Sequence, residues 1–170
     1  MEVEVMQDHA VALDRRAAIL KLQRDIESSE YAVPSESCPV KHHFAPGTYA
    51  REMTLPAGLV VVGKIHKHAH VNVISKGRVR VFTEHEGILE FQAPHTFVSS
   101  PGTKRVVLVD EETVWTTIHV TDKTDLAEIE REVIATDFTE VEHDLVYGGS
   151  CGSDGSNVSV CRELGFKIGS

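Results

Sequence analysis

Residues 63–81 read GKIHKHAHVNVISKGRVRV. His66, His68, His70, Asn72 and Ile74 fall on one parity, and Ile65, Lys67, Ala69, Val71 and Val73 on the other. Alternate side chains of a strand point to the same face, so the stretch predicts a strand with a histidine-rich face and a largely apolar one. A second strand, from Arg78, follows the Lys76-Gly77 turn signal.

The same period of two extends outward in both directions. YAREMTL, LVVVGKI, HAHVNVIS, RVRVFTE, ILEFQA, HTFVSS, KRVVLVD and TVWTTIHV follow one another. Pro56-Ala57-Gly58, His85-Glu86-Gly87, Ala93-Pro94, Pro101-Gly102 and Asp110-Glu111-Glu112 punctuate them. Many short strands rich in Val, Thr and aromatics, closely spaced, predict an all-β barrel or sandwich. No helical segments alternate with them, which argues against a parallel α/β sheet.

Helical patterns flank this region. In Ala12–Glu30, Leu13, Ala17, Leu20 and Arg24 share a stripe, with Ile19, Leu22 and Ile26 beside it. Such a helix can pack on its own domain or reach over a neighbouring subunit. Val33–Pro46 reads as extended connection, with Pro34, Pro39 and Pro46 breaking any helix. Asp125 and Glu128 have capping-box spacing ahead of an apolar stripe of Leu126, Ile129, Val133 and Ile134. GGSCGSDGSN, from Gly148, reads as a flexible Gly/Ser-rich tail. The expected organisation is an N-terminal helix and arm (1–43), a β region (44–122), a C-terminal helix and connection (123–147), and a tail (148–170).

The 170 residues, 41% hydrophobic and 25% charged, suffice for one core. A net charge of -9 disfavours a nucleic-acid partner. No apolar run reaches the ~20 residues of a membrane helix, and no signal-peptide core stands at the N-terminus, so a cytoplasmic protein is expected. Cys38, Cys151 and Cys161 make no zinc pattern and leave one thiol over in any pairing. We read them as reduced. A Cys151–Cys161 bridge is the one disulfide in view.

Three histidines of one parity are the sharpest chemical signal. Positions two apart lie ~6.5 Å apart along a strand, and positions four apart ~13 Å. Imidazoles two apart can share an ion with metal–nitrogen bonds of ~2.0–2.1 Å. Uniting His66, His68 and His70 on one ion requires a bend near His68. His119, at the end of TVWTTIH, is the best further ligand. His85, His95 and Glu84 are weaker, lying near turns. A lone H-x-H is ordinarily just a polar strand face, and the third histidine is what raises the metal reading.

With these residues in hand, the β region, about Thr48 to Thr121, resembles a small single-domain cupin. Gly63, the histidine cluster and Gly77 are similar to the first cupin motif, a glycine, an H-x-H pair, a glutamate and a second glycine. Ser100-Pro101-Gly102-Thr103-Lys104-Arg105 is similar to the second, a P-x-G turn followed by a histidine. More narrowly, KIHKHAHVNVISKG and PGTKR with VWTTIH resemble small uncharacterised cupin-like proteins of bacteriophage and prophage genomes. The resemblance implies a jelly-roll barrel. The narrower one implies a host-cytoplasmic or virion location. Counted back from Gly77, the glutamate slot falls on His70, the second histidine slot on His66 and the first on Lys64. Arg105 occupies the histidine slot of the second motif, so the usual ligand set is broken.

Two chemistries remain open. His66, His68 and His70, in twos or threes, with His119 would hold a divalent transition metal (Zn, Fe, Ni or Cu), for an enzyme whose acid or base is not evident. Otherwise the metal is absent and Arg105, a bidentate fork, holds an anionic small molecule in a binding or virion accessory protein, with Trp115 lining the interior beside either site. Apolar helix faces at both ends of the chain favour a homo-oligomer.

Overall fold

A computed structural model of the chain describes residues 2–141 and 159–162. Helix α1 (Glu2–Glu27) and a 3-10 turn at Ser35–Ser37 precede strands β1 (Val40–Ala45), β2 (Thr48–Leu55), β3 (Leu59–Val62), β4 (Ile65–His66), β5 (His70–Lys76), β6 (Arg78–Thr83), β7 (Gly87–Gln92), β8 (His95–Ser99), β9 (Arg105–Val109) and β10 (Thr113–Val120). Helix α2 (Leu126–Val133), β11 (Ile134–Ala135) and β12 (Ser159–Arg162) follow. The fold is mostly antiparallel sheet. One sheet has the order β1-β2-β10-β5-β8, the other β12-β3-β9-β6-β7, and β11 pairs with β4.

The two large sheets enclose the core. Leu55, Ile74 and Trp115 from the first meet Leu59, Val61, Val79, Val81, Val107 and Val109 from the second. Each such side chain contributes about 1.5–3 kcal/mol by leaving water. The second sheet is covered on its outer face too. Ile19 and Ile26 of α1 pack on Val62 and Val106, with Leu22, Val60, Phe82 and Leu108 around them. Burial on both faces is why β3 reads as an unbroken apolar run, LVVV, and β9 as VVLV after Arg105, where β6 alternates.

The helix therefore lies on its own chain's sheet. Its buried stripe is Ile19, Leu22 and Ile26, while Leu13, Ala17 and Arg24 face solvent. A buried ion pair fixes it: Arg16 Nε lies 2.8 Å from Glu84 Oε2, and Glu84 is fully buried. Glu84 thus anchors a helix; its one histidine neighbour is the exposed His85, whose Nε2 lies 3.4 Å from Glu84 Oε1, and it stands outside the cluster of His66, His70 and His119.

Three strands, β1, β11 and β12, lie where none was expected. β1 falls in the supposed connection and pairs along its length with β2. It is an edge strand exposed on both faces, so it carries no inside-outside alternation to read. β12 pairs with β3 inside the supposed flexible tail. The rest of that tail, including Cys151, lies outside the described residues. Asp125 caps α2, its side chain accepting from the Glu128 N–H at 2.9 Å. The helix ends at Val133, and Ile134 goes instead into β11, opposite His66.

Candidate metal and ligand site

The histidine strand is not one strand. β4 ends at His66, the chain bends at Lys67 and His68, and β5 starts at His70. Backbone bonds hold this bend on both sides. The Lys67 N–H donates to the Val133 carbonyl and the Gly102 N–H to the His66 carbonyl, each at 2.9 Å. The Lys67 side chain is buried beneath α2, its Nζ donating to the Arg131 carbonyl and pairing with Glu140.

The bend changes which histidines meet. His66 and His70, too far apart for one ion on a straight strand, have ring centroids 4.1 Å apart. His119 lies 5.0 Å from each. One nitrogen from each of the three lies within 4.8 Å of the others. His68, expected with them, lies outside this group, and its side chain is exposed. Its carbonyl instead accepts from His70 Nδ1 at 3.0 Å. That bond places the His70 proton on Nδ1 and leaves the Nε2 lone pair free, the arrangement a metal-binding imidazole needs.

The surroundings keep all three rings neutral. Burial, then the neighbouring histidines and the guanidinium groups of Arg105 and Arg51, hold His66 well below its usual pKa. Burial likewise lowers His70 and brings His119 down to about 4. His66 Nδ1 is sealed from solvent with no hydrogen-bond partner among the described residues. Such an orphan costs about 1–3 kcal/mol unless something satisfies it.

Inward-facing rows across the first sheet build the site. Tyr49 is the register partner of His119, and His70 that of Ser99. In the next row Arg51 faces Thr117, which faces Asn72, which faces Phe97. The third row joins Met53, Trp115 and Ile74. A cavity of about 260 Å³ lies against these rows, with the histidines, Arg51, Arg105 and Trp115 in its wall and Ile129 and Glu130 of α2 beside it. Arg105 enters from the opposite sheet. Gly63 makes room for it, since a Cβ there would lie 3.3 Å from Arg105 Cγ. Arg105 Nη2 donates to Ser99 Oγ at 2.6 Å. Asn72 Nδ2 donates to the same oxygen at 2.9 Å, and Asn72 Oδ1 accepts from Trp115 Nε1 at 2.9 Å.

Trp115 is thus both core and cavity wall. His85 is exposed, and His95 stacks on Phe91 at 4.5 Å, away from the cavity. Arg51, Tyr49 and Asn72 are site residues that sequence reasoning missed. Their only signal is shared parity with His119 or His70, which has meaning once strand pairing is known.

No family model matches the chain, and no curated protein matches it. Similar solved structures include a cupin-2 domain protein from Shewanella frigidimarina, 12% identical, covering 49% of this chain and 80% of that one, with a TM-score of 0.42. Ectoine synthase from P. lautus is 9% identical over 65% of this chain and 82% of that one, TM-score 0.49. An RmlC-like cupin with a double-stranded β-helix fold from Methanocaldococcus jannaschii is 8% identical over 56% and 93%, TM-score 0.41. Likenesses of this size decide nothing about chemistry, and the mostly-β character of the chain rests on the strand order above. Among the described residues no helix is long and apolar enough to cross a membrane.

Proposed function

We propose that the protein is a cupin-like metal-binding protein whose His66, His70 and His119 hold one divalent transition metal at the cavity wall. The convergence of three neutral imidazoles within 4.8 Å carries this reading. The orphaned His66 Nδ1 and the free Nε2 of His70 support it. Tetrahedral binding needs nitrogens about 3.4 Å apart, given metal–nitrogen bonds of ~2.0–2.1 Å, so small ring rotations would close the set. Imidazole nitrogens suit Zn, Fe, Ni or Cu and not Mg or Ca. Three protein ligands leave positions open toward the cavity. A bound ion would polarise a ligand oxygen or lower the pKa of bound water.

His119 and Arg105 line one cavity, which supports a reading in which a metal and an arginine-held ligand share it. Elemental analysis of tag-free protein tests the metal. Near-stoichiometric transition metal is expected, lost in His70→Ala but retained in His68→Ala. Absence of metal, with no rise in melting temperature when ions are added to chelator-treated protein, refutes the reading.

A further inference from the structure

The chain carries a net charge of -9, yet its cavity is cationic. Among the described lining residues Arg51, Lys64 and Arg105 face a single carboxylate, Glu130, and Lys64 is already paired with it. The three histidines add no negative charge. Among the described residues neither the Arg51 nor the Arg105 guanidinium has an ion-pair partner, and both stand in the wall of this cavity.

Arg105 is the more telling of the two. It is buried to 8% exposure, and its guanidinium has one hydrogen-bond partner among the described residues, the neutral Ser99 hydroxyl. Glu86 acts on it only from outside hydrogen-bonding range. Burial lowers its pKa only to about 10, so it stays charged at neutral pH. A buried, unpaired charge costs several kcal/mol, a cost that a functional ligand can offset. The protein also invests in aiming this group. Gly63 clears its stem, and the Trp115–Asn72–Ser99 chain of hydrogen bonds holds its head. Ser99 is the register partner of His70, so the guanidinium lies beside the histidine cluster. Much of the remaining wall is apolar, with Met53, Leu55, Val61, Val107 and the Trp115 ring among its members.

We propose that the cavity binds a small organic carboxylate, whose carboxylate group pairs with Arg105 while its apolar body rests against Trp115 and Val107. Arg51 reinforces the attraction from the facing sheet. The ligand's second contact, with the open side of the metal, rests on the metal reading above; the arginine contact stands without the ion. Oxyanions such as phosphate share the fork chemistry but leave the apolar wall unused, so the carboxylate is favoured.

The test uses the full chain, metal-free and metal-loaded, with phenylacetate and butyrate as probes against their neutral amides and inorganic phosphate, read by calorimetry and melting temperature. The acids are expected to bind at least about tenfold tighter than the amides, the order of one charge-assisted pair. Arg105→Gln should remove that preference and keep the metal content. Gly63→Ala, which crowds the arginine without changing charge, should weaken acid binding. His70→Ala should lose metal and keep the acid preference in the metal-free state, which separates the two readings. Equal binding of acid and amide, an acid preference that survives Arg105→Gln, phosphate binding tighter than either acid, or no saturable binding of either acid up to about 10 mM would each overturn the proposal.

Discussion

Acidifying the metal-free protein from neutral pH to about pH 5 should cost it about 2 kcal/mol of stability through His119 alone. An unfolded histidine titrates near ~6.5, whereas burial holds His119 at about 4 in the fold. At pH 5 the unfolded chain binds that proton almost completely and the folded chain only about one time in ten. Stability falls wherever the unfolded state binds more protons. The cost is therefore nearly absent above ~6.5, grows as pH drops, and levels off below about 4, where it amounts to roughly 3 kcal/mol. His66 and His70 are shifted the same way and add to the slope. The lowered carboxylates Glu52, Asp137 and Glu140 act only as this window closes. Urea unfolding of chelator-treated protein at a series of pH values measures the slope. His119→Asn should flatten it by about 2 kcal/mol between neutral pH and pH 5. A wild-type stability that holds level or rises toward pH 5 would show that these rings are not buried and neutral.

Gly77→Ala should destabilise by more than about 2 kcal/mol in urea, because Gly77 has φ +87° and an added Cβ would lie 2.3 Å from the Glu112 carbonyl oxygen. Asn72→Leu should cost about 2–3 kcal/mol by stranding the Trp115 N–H, and it should weaken carboxylate binding by freeing Arg105; unchanged binding would show that the arginine needs no such brace. Arg16→Ala leaves Glu84 a buried carboxylate and should cost about 3–5 kcal/mol by denaturation, with a smaller loss pointing to compensation from other groups on α1. We propose that the protein is a homo-oligomer, with the exposed Val71 and Val98, register partners on the outer sheet face, among the contacts. Light scattering at micromolar concentration should give more than one chain mass, and a monomer would refute it.

Legibility varied with how local each signal was. β5, β6 and β10 showed themselves because they bury one face, so alternation appears directly in the residues. The Asp125 cap could be read because its bond spans three residues. β1 was opaque because an edge strand in solvent has no buried face. The α1 stripe was misplaced because two adjacent apolar stripes were present, and only the position of Val62 and Val106 selects between them. Arg105 stood out by occupying a histidine slot of the resembled motif, but its purpose depends on Ser99 and Asn72, distant in sequence and adjacent through strand pairing.

The histidine-rich face, the run of short strands and the cap of α2 follow from the sequence by itself, since each depends on neighbours a few residues away and on the fixed period of strand or helix. Which histidines form a site does not. A regular strand groups His66, His68 and His70, and the bend at Lys67–His68 regroups them, turning His68 outward and bringing His66 onto His70. That bend is imposed by partners far along the chain, Val133 and Gly102, and His119 arrives through the pairing of β10 with β5. Backbone hydrogen bonds made between distant segments set the direction of each imidazole, so the ligand set is a property of the assembled sheets and not of the stretch that carries the histidines.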